Sequence, residues 1–240
     1  LGVNVLWLCP IMDSPMDDNG YDISNYQAIN PRFGTMEDFD RLLEGLHSRG
    51  MKLVMDLVVN HSSDEHKWFI ESRKDKTNPY RDYYIWREGK DGRLPNNWGS
   101  CFSGPAWKKD ETTGEYYLHL FSPKQPDLNW ENPAVREEMA DILRFWKAKG
   151  IKGFRFDVIN VISKPEFYED DYEGDGRRFY TDGRNVHKYL KELVAAGGID
   201  GMITVGEMSS TSMENCFHYA NEDGKELSMV FNFHHLKVDF

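Results

Sequence analysis

Several polar residues of this 240-residue sequence stand where apolar runs end, and their types could do acid–base chemistry. Arg155 and Asp157 lie two residues apart in one run, and Glu207 follows another run. Because side chains alternate along a strand, Arg155 and Asp157 should share one side, where the arginine would keep the carboxylate ionised. One ionised carboxylate and one that can be protonated suit glycoside hydrolysis. Buried Arg–Asp pairs are also common structural features, so this pattern alone does not decide the function.

The elements that must position these residues form an alternating series. The apolar runs predict five strands, several of them buried on both faces, at Val3–Leu8, Leu53–Val59, Gly153–Val158, Met202–Val205 and Leu227–Phe233. Helix-like segments stand between the strands, which predicts a parallel α/β fold. In such folds the carboxyl ends of the strands form the active-site face. Asn60 and His61 follow the second run, and His234 and His235 follow the fifth.

Three helices have recognisable start and stop signals. Thr35 can cap the first helix, whose apolar stripe consists of Phe39, Leu42, Leu43 and Leu46. The second begins at Asn132–Pro133 and ends at Gly150, and the third ends before Gly197–Gly198.

A polar and aromatic segment separates the second run from the third. We predict that residues 61–123 form a small inserted subdomain, between barrel parts at residues 1–60 and 124–240. Its many tryptophans and tyrosines are expected to fill a small core of its own more often than to line a cleft.

The composition excludes several function classes. A net charge of −11 argues against binding to nucleic acid or anionic lipid, and no apolar stretch is long enough to span a membrane. Three scattered cysteines favour reduced thiols in a cytoplasmic protein. The chain begins without Met inside an apolar run, so we expect it to be part of a protein about twice as long.

Five motifs resemble those of glycoside hydrolase family 13, the α-amylase superfamily. They are Asp56–His61, Gly153–Asp157, Thr204–Glu207, Asn19–Asp22 and Gln125–Asn129. The resemblance implies a (β/α)8 TIM barrel of which this chain holds strands two to six, with the inserted subdomain after the third barrel strand. It also implies that a third catalytic Asp, at the seventh strand, lies outside the sequence.

The resemblance assigns roles to individual residues. Asp157 would be the nucleophile and Glu207 the general acid/base. The sugar in the cleaved subsite would be bound by Asp22, His61 and Arg155. Either Tyr21 or Tyr26 could stack on the sugar, although packing in the core is nearly as frequent for such residues. No cofactor is expected, and the calcium-like site of related enzymes would precede this chain.

Within the family the chain resembles the oligo-1,6-glucosidase subgroup, because Val205 precedes Gly206-Glu207. Four segments resemble its phosphotrehalase branch: Glu173–Gly183, Val205–Ser212, Phe231–Asp239 and Pro95–Trp98. This implies a disaccharide phosphate substrate and a monomer, whereas Phe121–Asp127 reads more like the oligo-1,6-glucosidases. A sugar phosphate needs nearby cations. We therefore predict substrate contacts for Lys237 and His235, with Arg177, Arg178 and Arg184 as further candidates that are more often surface charges.

Rival interpretations have weaker support. Acidic residues of the segment 171–182 faintly resemble a calcium loop, but their spacing fits an acidic surface loop better. His234 and His235 are a weak zinc signal. A non-catalytic, transporter-associated family member would usually have lost Asp157 or Glu207, and both are present. A transglycosylating isomerase on the same scaffold is distinguished from a hydrolase only by its products.

Overall fold

The computed structural model describes residues 2–220 and 225–233. In chain order the strands are β1 Val5–Leu8, β2 Met12–Asp13, β3 Asn25–Ile29, β4 Lys52–Val58, β5 Trp86–Arg87, β6 Trp107–Lys109, β7 Tyr116–Leu118, β8 Gly153–Asp157, β9 Ile203–Met208 and β10 Met229–Asn232. The α-helices are α1 Met36–His47, α2 Lys67–Ser72, α3 Pro133–Lys149, α4 Arg177–Tyr180, α5 Val186–Gly197 and α6 Met213–Tyr219. Short 3₁₀ turns lie at Arg81–Tyr83 and Ile159–Val161.

The main sheet is parallel and has five strands in the order β1-β4-β8-β9-β10. The five strands of this sheet occur in the same order along the chain, and each connection between two of them contains a helix. This is the arrangement of an open part of a (β/α)8 barrel. The register pairs Asp56 with Arg155, so these two charged side chains of neighbouring strands lie at the same level.

Each predicted strand run overlaps a strand of this sheet, but one boundary differs in a way that concerns the site. Glu207 was expected to follow the fourth run, whereas it lies inside β9. A charged residue can stay in the strand there because it meets the guanidinium of Arg155. Gly206 provides close packing, since a Cβ at this position would lie 2.5 Å from Cδ1 of Leu227.

The helix signals are mostly correct. Thr35 forms a capping box with Asp38 at the start of α1, Asn132 caps α3, and Gly150 ends α3 in the left-handed conformation. The predicted stripe of α1 is wrong at Leu42, which is 42% exposed while the other stripe residues are buried. Leu43 alone continues the buried face at that turn of the helix.

A second, antiparallel sheet lies in the long segment after β4, with the strand order β5-β7-β6. Its aromatic side chains are largely buried, including Trp86, Trp107 and Tyr117. The guanidinium of Arg81 lies 3.6 Å from the ring centroid of Trp86. We propose that this layer is the inserted subdomain predicted for residues 61–123. Across the part of the chain that the structure describes, no helix is both long and apolar enough to cross a membrane.

Candidate active site

Arg155 lies at the centre of the polar cluster on the main sheet. Its Nη1 donates to Asp56 Oδ1 at 2.9 Å and to Asp157 Oδ1 at 2.7 Å, and its Nη2 donates to Glu207 Oε2. The arginine side chain is only 6% exposed. One buried guanidinium therefore joins carboxylates from the three adjacent strands β4, β8 and β9.

Burial dominates the electrostatics of this cluster. It raises the pKa of Asp56 to about 6, although Arg155 acts in the opposite direction. Burial, followed by repulsion from Glu207, also raises the pKa of Asp157 well above its usual range. The expectation that Arg155 keeps Asp157 ionised is therefore wrong as a net effect, because the lowering by the arginine is smaller than the desolvation. Burial alone would lower the pKa of Arg155, but its carboxylate neighbours raise it, so it stays charged.

Asp157 and Glu207 lie beside a single cation, since both accept hydrogen bonds from Arg155. Repulsion from Glu207 adds to the burial that raises the pKa of Asp157. Two neighbouring carboxyl groups can in principle serve as one ionised and one protonated partner. This is the state that general acid catalysis with a carboxylate nucleophile requires.

Tyr21 borders the cluster, and the next residue, Asp22, is hydrogen-bonded within its own loop. The hydroxyl of Tyr21 donates to Asp56 Oδ2 at 3.3 Å, and its ring centroid lies 5.8 Å from the Arg155 guanidinium carbon. Asp22 is fully buried and accepts from the backbone N–H of Asp17 at 2.9 Å and of Asp18 at 3.0 Å. In this structure the Asp22 carboxylate therefore organises its own loop.

Tyr26 does not reach the cluster. It is 2% exposed, stacks with Trp68 at a centroid distance of 6.0 Å and donates from its hydroxyl to the His61 carbonyl at 2.9 Å. Of the two tyrosines considered for sugar stacking, Tyr26 is thus a core residue. A sugar-facing role stays a prediction for Tyr21 alone.

His61 is 1% exposed and lies beneath Tyr21. Its Nε2 is 3.1 Å from the Tyr21 carbonyl oxygen, and its Nδ1 is 3.2 Å from Asn60 Nδ2. Burial lowers the pKa of His61 to about 4, so the imidazole is neutral near pH 7. Its ring contacts Phe121 at a centroid distance of 5.1 Å.

Two members of the cluster are not predicted from the sequence. Asp56 lies within one of the family motifs but has no role assigned there, and Trp7, whose Nε1 donates to Asp56 Oδ2 at 3.2 Å, lies outside the motifs. A signal was available for Asp56, since it is the only charged residue in the buried run Leu53–Val58. Trp7 carries no such signal, because a tryptophan in a strand run is indistinguishable from a core residue.

Some of the residues predicted to bind the phosphate lie outside the described residues, and the others form ion pairs. His235 and Lys237 lie outside the described residues, as does His234. Arg177 pairs with Asp175 at 3.2 Å, Arg184 pairs with Glu166 at 2.9 Å, and Arg178 pairs with acidic residues of its own loop. All three arginines are thus occupied by surface ion pairs.

The acidic segment that faintly resembles a calcium loop is organised by its own hydrogen bonds. Asp171 is 3% exposed, and its carboxylate accepts from the backbone N–H groups of Glu173, Gly174 and Gly176. Within residues 2–220 and 225–233, no group of His, Cys, Asp and Glu has an arrangement that could hold a metal ion.

Comparison with known proteins identifies the family. The model of the alpha-amylase catalytic domain matches residues 1–240. The chain belongs to the alpha-amylase family. The predicted resemblance is thereby confirmed, and so is the fold class of a partial TIM barrel with helices around a parallel sheet.

Relatives named for two different activities have the same sequence identity to this chain. An oligo-1,6-glucosidase of Bacillus cereus is 56% identical over 100% of this chain and 44% of that protein. A trehalose-6-phosphate hydrolase of Bacillus subtilis (strain 168) is also 56% identical, over 100% of this chain and 43% of that protein. A crystal structure of Bacillus licheniformis trehalose-6-phosphate hydrolase superposes with a TM-score of 0.96 and 55% identity, covering 99% of this chain and 43% of that chain. The chain thus spans less than half the length of these relatives.

Proposed function

We propose that the protein containing this chain is a retaining α-glucosidase that hydrolyses trehalose 6-phosphate to glucose and glucose 6-phosphate. The observation that carries the proposal is the single guanidinium of Arg155, which binds both Asp157 and Glu207 on adjacent strands. This arrangement brings together the two carboxyl groups that a two-carboxylate mechanism needs.

The proposed reaction has two displacement steps. In the first, Asp157 attacks the anomeric carbon while Glu207 gives its proton to the departing glycosidic oxygen, so that glucose 6-phosphate leaves and a glucosyl ester of Asp157 forms. In the second, Glu207 takes a proton from water, and the resulting hydroxide releases glucose from the ester. Esterification removes the negative charge of Asp157, so Glu207 can then carry its charge beside Arg155 with one fewer like neighbour.

The remaining predicted residues have supporting roles in this proposal. His61, Asp22 and Arg155 bind the glucosyl unit or hold the groups that bind it, and Tyr21 covers one side of the pocket. The buried Asp56 orients Arg155 through the 2.9 Å contact with Nη1. A small-molecule substrate without a cofactor, a monomeric state and a cytoplasmic location are part of the same proposal.

A second candidate function is hydrolysis of isomalto-oligosaccharides. The segment Phe121–Asp127 reads more like the oligo-1,6-glucosidases. It lies against the site, because Phe121 packs on His61 and Gln125 Nε2 donates to the Tyr21 carbonyl at 3.2 Å. The two candidates share the chemistry at Asp157 and Glu207 and differ only in the leaving group.

A substrate panel on the full-length protein decides between them. Trehalose 6-phosphate, trehalose, isomaltose and maltose would be compared by the glucose and glucose 6-phosphate released. We expect glucose 6-phosphate from the first and much slower turnover of the other three. Efficient cleavage of isomaltose with little activity on trehalose 6-phosphate would favour the second candidate. Rearranged disaccharides in place of free glucose would indicate an isomerase.

Lys237 provides a more specific test of phosphate recognition. A sugar phosphate carries nearly two negative charges, and a charge-assisted contact to it is worth about 1.5–3 kcal/mol. We expect Lys237→Ala in the full-length protein to lower kcat/KM for trehalose 6-phosphate roughly tenfold or more, and to change kcat/KM for a neutral aryl α-glucoside little. Arg184→Ala is the control, since its ion pair with Glu166 already occupies it. Equal losses on both substrates would contradict a phosphate role for Lys237.

A further inference from the structure

A buried ion pair lies behind His61, on the side away from Tyr21. Lys164 has a side chain that is 3% exposed, and its Nζ lies 2.9 Å from Asp127 Oδ2, in a fully buried carboxylate. The same Nζ donates to Asn60 Oδ1 at 2.7 Å and to the Val161 carbonyl at 2.7 Å. The pair connects the segment after β7, the turn after β8 and the end of β4. None of these contacts is used by the reaction proposed above.

The pair fixes the orientation of the Asn60 amide. A lysine ammonium can only donate hydrogen bonds, and an ionised carboxylate can only accept them. The Asn60 oxygen must therefore face Lys164, and its nitrogen must face Asp127, at 3.0 Å from Oδ2. The carboxylate is itself held in place, because Asp127 Oδ1 accepts from the backbone N–H of Leu120 at 2.8 Å.

The fixed amide in turn determines the proton position on His61. Asn60 Nδ2 lies 3.2 Å from His61 Nδ1, so Nδ1 must present a lone pair. The proton of the neutral ring is then on Nε2, which lies 3.1 Å from the Tyr21 carbonyl oxygen. Gln125 Nε2 also lies 3.2 Å from this nitrogen, but its two N–H groups have acceptors in Asp18 Oδ2 at 2.9 Å and the Tyr21 carbonyl at 3.2 Å.

We infer that Lys164 and Asp127 are positioning residues that hold His61 in the Nε2–H tautomer and so keep its N–H on the carbonyl of Tyr21, whose side chain borders the substrate pocket. The part that concerns the substrate rests on the proposed function, whereas the tautomer does not. A purely structural ion pair would stabilise the loops equally well whichever nitrogen of His61 carried the proton. The tautomer is therefore the property that separates the two roles.

The double variant Lys164→Met/Asp127→Asn tests the inference. It removes both buried charges together and keeps side chains of similar size, so no uncompensated charge remains. The Leu120 N–H requires the oxygen of the new amide, whose NH₂ group must then face Asn60. The Asn60 amide should turn, place its oxygen toward His61 Nδ1 and move the ring proton to that nitrogen. ¹⁵N NMR of the full-length protein with ¹⁵N-labelled histidine reports the tautomer directly.

We expect the Nε2–H form in the wild type and the Nδ1–H form in the double variant. For a neutral aryl α-glucoside, KM should rise roughly tenfold, the size of one or two lost hydrogen bonds, with a smaller change in kcat. Lys149→Met/Asp40→Asn is the matched control, because it removes a surface pair at 2.8 Å and should leave both the tautomer and KM unchanged.

Three results would overturn the inference: an Nδ1–H ring in the wild type, an unchanged tautomer in the folded double variant, or a tautomer change without a change in KM. If the double variant does not fold, Asn60→Leu leaves the ion pair intact and should give a mixture of tautomers. A retained pure Nε2–H form in that variant would count against the inference. A wild type inactive on every α-glucoside would refute the proposed function alone, since the NMR result is independent of turnover.

Discussion

The Glu207→Gln variant of the full-length protein is expected to hydrolyse trehalose 6-phosphate roughly 10²–10⁴-fold more slowly than the wild type, the usual contribution of a general acid/base. The substituted amide keeps the size of the side chain and an oxygen that can accept from Arg155 Nη2, but it has no acidic proton to give to the glycosidic oxygen. Initial rates of glucose 6-phosphate release at several substrate concentrations measure the effect.

The dependence on the leaving group distinguishes acid catalysis from a structural effect. An acidic phenol departs from an aryl glucoside without protonation, so the first step with this substrate should be nearly normal in the variant. The slow step then becomes attack of water on the Asp157 ester. Azide attacks the glucosyl ester without the help of a general base. Added azide should therefore restore turnover and give a glucosyl azide as the product. Glu226→Gln is the matched control: it is another buried glutamate, 2.9 Å from His187 Nδ1, and should change the rates little. Equal losses on all substrates without rescue by azide would refute the assignment.

The sequence was sufficient to predict the five strands of the main sheet and the face they share, because both depend on local patterns. Apolar runs, Thr35 and Asn132 as caps and Gly150 as a stop are each read from a few neighbouring residues. The error at Leu42 has a physical reason. Whether a leucine at the edge of an apolar stripe is buried depends on how far the packing contact with the neighbouring elements extends around the helix. The stripe itself does not encode that extent.

The electrostatics of the site could not be predicted in the same way. The sequence shows that Arg155 and Asp157 are neighbours, which favours an ionised carboxylate. It does not show that Asp56 and Glu207 lie on the same guanidinium, or how little water reaches the cluster. Desolvation depends on the whole surroundings of a group, and here it reverses the expected direction of the Asp157 pKa shift.

Lys164 illustrates the same limit. In the sequence it is a lysine next to Ser163 and Pro165 and resembles any surface residue. The fold brings it to Asn60, 104 positions away, where it is buried against Asp127. A residue whose function depends on one long-range partner has no local signature, whereas the motifs around His61 and Asp157 keep theirs within a few positions.

The Arg155→Met variant is expected to lose about 3–5 kcal/mol of unfolding free energy above neutral pH, because it leaves Asp56, Asp157 and Glu207 buried without their shared cation. The loss should depend on pH. A carboxyl with a raised pKa binds more protons in the folded state than in the unfolded state, so stability falls as pH rises between the two pKa values. For Asp56 in the wild type this window runs from about 4, the usual unfolded value, to about 6.

Without Arg155 the pKa values of Asp56 and Asp157 lose the influence that lowers them. The pH range over which the stability falls therefore extends further upward. The wild type and the variant should be close in stability near pH 4, where Asp56 and Asp157 are largely protonated in the folded state, and differ most above about pH 7. Denaturant midpoints measured across this range give the result. Arg144→Met is the matched control, since Arg144 also joins two acidic side chains, Glu137 and Asp141, but on the surface, and this variant should change the stability little at any pH. Adding Asp56→Asn to Arg155→Met should recover part of the loss at high pH, because one buried carboxylate is gone. A difference from the wild type that is the same at pH 4 and pH 8 would mean that Arg155 acts through packing and not through its charge.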